Sequence, residues 1–259
     1  MCIALVTGTA WLGAQAAPAA GQAAPPAAEK TAALPSARSI IDRYITAIGG
    51  KAAVKKPTSR FITGRFELPA QGMGGPFEIS AAAPDRMLLK ITLQGLGEMA
   101  RGYDGQVGWA IDPAIGPRLL VGGELDEVRY SADFYSDLYE PSSFTSMRVV
   151  ERAPFEGRDC YTVQLVRRSG LELTEYFNVD DGLKRGTRMN STSPMGTVPG
   201  VVTVLDGYRD FGGVKVPTTA RQKAMGVESV LTIERVEYDR VPAEAFALPP
   251  PIAALVKGK

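Results

Sequence analysis

Apolar residues recur along this chain with two different periods. In "SARSIIDRYITAIGG" Ile40, Ile41, Tyr44, Ile45 and Ile48 share one face at helical spacing. Ser36 stands before the run as an N-cap and Gly49-Gly50 close it, so one amphipathic helix of about three turns is predicted. From Thr58 the period becomes two. "SRFITGRFEL" puts Ile62, Phe66 and Leu68 on one face, and "PFEISAAA" puts Phe77 beside Ile79. "RMLLKITL" aligns Met87, Leu89, Ile91 and Leu93, and "QVGWAID" aligns Val107, Trp109 and Ile111. Such alternation predicts antiparallel strands with one buried face. Tyr103-Asp104-Gly105 and Asp112-Pro113 supply turns between them.

"GGELDEVRYSADFYSDLYE" interrupts the strands. Leu125, Val128, Ala132, Tyr135 and Leu138/Tyr139 lie at helical spacing, which predicts a second amphipathic helix. Its opposite face carries Glu127, Asp133 and Asp137 and is expected to be solvated. Strands resume in "DCYTVQLV", where Tyr161, Val163 and Leu165 align, and in "LELTEYFNV", turned by Asp181-Gly182 into "LKRGTRM". "GVVTVLDGYRDF", "VKVPTTARQKA" and "VESVLTIERVEYD" follow. Gly212-Gly213 predicts a two-residue turn with positive φ, and Pro217 marks a bulge, a strand start or an edge in the curving wall.

The tally is about ten or eleven strands, and a twisted sheet of that size curls. The expected fold class is mainly β (α+β): a large curved antiparallel sheet forming a half-open β-barrel, with helices covering the concave side. One domain is expected over residues 36–248, with residues 249–259 as a tail, and "VPAEAFALPPP" reads as a Pro-limited coil. Residues 1–16 read as a signal peptide, an apolar run ending in Ala14-Gln15-Ala16. The usual positive n-region is missing, since the first basic residue is Lys30. The run is too short and too broken for a membrane span, so no transmembrane span is expected in the mature chain. Residues 17–35 are Ala/Pro-rich and read as a flexible tether. Together these predict an exported, periplasmic protein.

Composition narrows the chemistry. Net charge is +1, from 29 Lys+Arg against 28 Asp+Glu, with no dense basic run, so no nucleic acid partner is expected. Histidine is absent, which removes Ser-His-Asp and Cys-His activation and HExxH zinc chemistry. Cys160 then reads as a small buried hydrophobe. Asp180-Asp181 belong to a turn before Gly182, and no calcium-type loop is present. The expectation is therefore a protein that is not an enzyme and has no catalytic residues, no metal and no cofactor. In a half-open barrel the apolar face lines a cavity. The candidate lining is Ile62, Phe66, Phe77, Ile79, Met87, Leu89, Ile91, Met99, Trp109, Phe134, Tyr161 and Val163. Such a cavity suits an acyl chain or another greasy ligand. "LPAQGMGG" and "STSPMGTVPG" read equally as gating loops or as ordinary hairpin loops.

The order of these segments resembles the bacterial outer-membrane lipoprotein-sorting proteins of the LolA/LolB-like superfamily. The resemblance rests on the helix ending in Gly-Gly, "YDGQVGWAID", the inserted helix, "FEGRDCYTVQL", "EYFNVDDGLKRGT", "YRDFGGVKVPTTARQ" and "IERVEYDRVPAEAFALPP". It implies a half-barrel whose cavity holds acyl chains in transit across the periplasm. The implied partners are a lipid acyl chain or a lipoprotein, with an envelope protein partner also possible. Relatives with this fold bind other lipids, and one senses mislocalised lipoproteins and regulates a stress sigma factor. A non-carrier envelope module, a stress sensor or an assembly subunit, therefore stays open. Arg101 and Arg118 stand either as counterparts of the carriers' polar gating residues or as surface charges.

Overall fold

A computed structural model describes residues 33–194 and 196–258. The predicted signal segment, and all but the last three residues of the predicted tether, lie outside them. Ser36 caps α1 (Ala37–Ala47), its side chain accepting from the Ser39 amide. Gly49 adopts φ 123°, and a short α2 (Gly50–Lys55) follows instead of a chain exit. A side chain at Gly49 would stand 2.1 Å from the Gly213 carbonyl oxygen, so only glycine allows that approach.

The period-two segments form β1 (Ser59–Leu68), β2 (Met73–Ala82), β3 (Arg86–Leu93), β4 (Gly97–Tyr103), β5 (Gly108–Asp112) and β6 (Gly116–Leu119). α3 (Gly122–Ala132) intervenes. Then come β7 (Phe144–Phe155), β8 (Arg158–Arg167), β9 (Glu172–Asn178), β10 (Lys184–Ser193) and β11 (Gly196–Asp206). β12 (Arg209–Phe211), β13 (Val214–Val216), β14 (Thr219–Ala224), β15 (Val227–Tyr238) and α4 (Pro250–Lys257) complete the chain. Thirteen strands make one open sheet in the order β6-β5-β4-β3-β2-β1-β15-β14-β11-β10-β9-β8-β7. Every neighbouring pair is antiparallel. The fold is therefore mainly β, a curved half-open barrel with helices.

β1 and β15 meet in the middle of the sheet, while β6 and β7 are its two edges. The segment from residue 120 to residue 143 joins those edges. It forms a strap across the open side. Among the described residues the strand number exceeds the expected ten or eleven. The short β6, "GPRL", has no alternation from which it could be read.

Register decides which side chains share a face. Ile62 pairs with Ile79, Ile79 with Leu89, and Leu89 with Arg101. On the other wing Val163 pairs with Glu175, and Glu175 with Thr187. The main core gathers under α1: Ile41, Tyr44, Ile45 and Ile48 meet Val163, Leu165, Leu173 and Phe177. A second cluster joins Val128 and Ala132 of α3 to Met87, Tyr103 and Ala110.

Several sequence expectations are corrected. The inserted helix stops at Ala132, and a separate 3-10 turn covers Ser136–Leu138, so Asp133 and Asp137 are not on one helix. Their face is not solvated either. Glu127 is buried, and Asp133 pairs with Arg167 at 2.8 Å. Of the two readings left open for "LPAQGMGG" and "STSPMGTVPG", both segments fit hairpin connections. Leu68 ends β1 and Met73 begins β2, and only two residues separate β10 from β11. The tail is a helix, because Pro250 at its first position is preset for helical φ, and Ile252 is fully buried beside Trp109. Lastly, Gly212-Gly213 do turn a hairpin with φ 64° and 93°, but β12 and β13 pair only with each other. The hairpin stands off the main sheet against α1 and α2, where the Lys215 amide donates to the Ile48 carbonyl at 2.9 Å. It covers the wall instead of bending it.

Candidate functional site

Two compartments lie between the sheet and the segments that cover it. The larger holds about 430 Å³. Ile62, Ile79, Met87, Leu89, Met189 and Val201 give it an apolar wall, and Tyr130, Ser131 and Glu127 of α3 close it. Arg60 and Arg101 bring positive charge to its sides. The smaller holds about 150 Å³ and is more polar. Tyr44 of α1, Asp137 and Phe134 of the strap, Lys184, Tyr208 and the β12–β13 hairpin enclose it. Arg60 lines both compartments.

The strap is fastened at both ends. On the β4–β6 side Arg118 donates two bonds to Glu124 at 2.6 and 2.8 Å, and Arg101 donates to the Glu124 carbonyl at 2.9 Å. Neither arginine is a free surface charge. On the β10 side the Glu127 carboxylate accepts from the Ser191 hydroxyl at 2.9 Å and from the Thr192 amide. Tyr135 donates to the Pro57 carbonyl at 3.1 Å.

Beneath the strap lies a buried polar network. Glu175 is fully buried. It accepts from the Tyr139 hydroxyl and, at 3.3 Å, from the Lys184 ammonium. The Lys184 ammonium also donates to Tyr139 Oη at 2.9 Å and lies 3.6 Å from Asp137. Asp137 accepts from the Tyr44 hydroxyl at 2.6 Å. Burial alone would lower the Lys184 pKa, but Glu175 and Asp137 outweigh it and hold the ammonium above the ordinary lysine value. Burial would likewise raise Asp137, yet Lys184, the Tyr44 hydroxyl and Arg60 bring its carboxyl below the usual range. The Tyr44 and Tyr139 hydroxyls are pushed up by burial and by the neighbouring carboxylates, so both stay protonated donors. Each charge of this network thus has a partner.

The twelve candidate lining residues are dispersed. Ile62, Ile79, Met87 and Leu89 line the larger compartment, and Phe134 lines the smaller. Phe77 is buried core at 1% exposure. Phe66, Ile91 and Met99 are half-buried at positions outside both compartments. Tyr161 and Val163 pack under α1. Trp109 lies in the cluster with Ile252, on the opposite face of the sheet from α3. Sequence reasoning missed Arg60, Glu175 and Lys184. A signal was present: Arg60 alternates in phase with Ile62, and Glu175 with Leu173 and Phe177, so each is a charge on an apolar face.

No protein-family model matches the chain, and no curated protein matches it. Solved structures do. A LolA superfamily protein from Nitrosomonas europaea aligns over 83% of this chain and 99% of its own, with TM-score 0.53 and 14% identity. The fold is LolA-like. This LolA-like architecture is shared with a DUF1329 family protein from Desulfovibrio piger, with TM-score 0.56, 11% identity, and 82% and 97% of the two chains covered. A domain from Vibrio parahaemolyticus described as outer membrane lipoprotein-sorting aligns at TM-score 0.51 and 10% identity, over 86% and 100%. Among the described residues no helix of this LolA-like chain is long and apolar enough to cross a membrane.

Proposed function

We propose that this chain is a periplasmic binding protein that carries the acyl chain of a lipid or lipoprotein, in outer-membrane lipoprotein sorting or a related lipid transfer. The larger compartment is the observation that carries this reading. Its volume of about 430 Å³ falls in the ordinary range for ligand pockets, roughly 300–1,000 Å³. Its wall is apolar on the sheet side, and Met87 and Met189 supply flexible thioethers that adapt to a chain. Each buried methylene contributes about 0.8 kcal/mol. Ten would supply about 8 kcal/mol before ordering costs, a strength suited to holding and releasing. The signal-like residues 1–16 support export, and the LolA-like fold supports a carrier over an enzyme.

Native mass spectrometry of protein purified from its own cell envelope tests the reading, together with uptake of a fluorescent fatty acid. A co-purifying lipid and saturable, competable uptake are expected. Protein that carries no lipid and takes up no fatty acid refutes it.

A further inference from the structure

We propose that Arg60 docks the anionic head, a carboxylate or phosphate, of an amphiphile whose chain lies in the larger compartment. The inference rests on the acyl-binding reading above and adds the class of head group.

Among the described residues four arginines have a buried Nε without a hydrogen-bond partner: Arg60, Arg101, Arg118 and Arg185. Three of them are held by their other nitrogens. Arg101 donates to the Glu124 carbonyl, Arg118 to the Glu124 carboxylate, and Arg185 to Asp181. Arg60 differs: its side chain makes no hydrogen bond and no ion pair among the described residues. Its guanidinium lies over the Phe134 ring, 5.3 Å from the centroid, which orients it without using a donor. Buried donors are nearly always satisfied, so a buried Nε without a partner, on a guanidinium that no protein acceptor holds, points to a bound acceptor at this cavity wall.

Position adds to the argument. Arg60 is the residue shared by the apolar and the polar compartment, where an amphiphile changes character from tail to head. The charges around it leave room for an anion. Arg60, Lys184 and Lys215 line the smaller compartment against Asp137 alone. Glu175 neutralises Lys184 from behind, and Asp137 is engaged by the Tyr44 hydroxyl. One positive charge remains in surplus. The planar fork of arginine matches two oxygens of a carboxylate or phosphate.

The test compares dodecanoate, dodecyl phosphate and dodecanol by calorimetric titration near neutral pH, each below its aggregation limit. The mature protein is set beside Arg60→Gln and Arg60→Lys. At least one anion is expected to bind about 10- to 100-fold more tightly than the alcohol, the worth of charge-assisted hydrogen bonds. Arg60→Gln should bring the anions to the level of the alcohol measured on the same variant, and Arg60→Lys should keep part of the preference. Preference for dodecanoate would indicate a free fatty acid, and preference for dodecyl phosphate a phospholipid head. Equal binding of all three, or a preference that survives Arg60→Gln, overturns the anionic site and leaves the acyl-binding reading standing. Binding of none overturns both.

Discussion

Replacing Lys184 by Met isolates the energetics of the network under the strap. Glu175 has no exposed surface, and only 12% of the Lys184 side chain is exposed. Their separation is 3.3 Å. At an effective dielectric near 20, Coulomb attraction at that distance is about 5 kcal/mol, before either desolvation cost is subtracted. Met fills the volume of the lysine stem but supplies no charge. Glu175 would be left buried with only the tyrosine hydroxyls. Breaking a buried pair in this way costs roughly 3–5 kcal/mol, which lowers the melting temperature of a domain of this size by about 6–20 °C. Adding Glu175→Gln removes the stranded charge and keeps an acceptor for Tyr139. The double variant should therefore be more stable than Lys184→Met alone, with a coupling of about 2 kcal/mol or more. Urea denaturation of the four proteins at neutral pH supplies the cycle. A single-variant loss below about 1 kcal/mol, the size seen for exposed pairs, would refute the reasoning. So would a double variant no more stable than the single.

Other consequences can be measured directly. The depressed carboxyl of Asp137 stabilises the fold above the ordinary aspartate value, about pH 4, and that contribution is lost as pH falls through the folded value. Acid unfolding should therefore be shallower in Asp137→Asn, by a modest amount because 38% of this side chain is exposed; an unchanged acid limb would contradict the assignment. Burial pushes the Cys160 thiol up to about 11, so a thiol reagent should label it only after unfolding, and rapid labelling of native protein would contradict this burial. Ile252→Ala should cost roughly 2–5 kcal/mol in thermal denaturation, since Ile252 is fully buried; a cost near zero would mean that α4 is dispensable. Glu127→Ala frees the Thr192 amide, whose hydrogen exchange should accelerate while amides in β8 keep their protection.

How much of this was legible beforehand depends on the kind of residue. Alternation in "RMLLKITL" and "DCYTVQLV" revealed the strands and their buried face, because the pleat imposes period two whatever lies opposite. It did not say what covers that face. Val163 and Leu89 alternate alike, yet α1 covers one and a cavity fronts the other, a difference made by tertiary packing. Trp109 lies away from both compartments for a related reason: the sheet has apolar residues on both faces where α4 docks, and a helix opened by three prolines looks like coil. Helical spacing from residue 123 to residue 139 carried straight through the break at Asp133, since a 3-10 turn continues nearly the same pattern. Arg60 and Glu175 broke the alternation, and such breaks are where a buried polar site shows itself in a sequence; Lys184, among polar neighbours in "LKRGTRM", gave no such signal.

The strap is tied to the sheet at β6 and at β7, so it cannot swing away like a door on one hinge. Any widening of the mouth draws on its length. The eleven residues of α3 span about 16 Å as a helix and about 36 Å when extended. Unwinding α3 would thus release some 20 Å of travel between the two edges without parting a single strand pair. The same segment that closes the cavity is therefore also its reserve of slack. The pins at Glu124 and Glu127 set the load at which that slack begins to run.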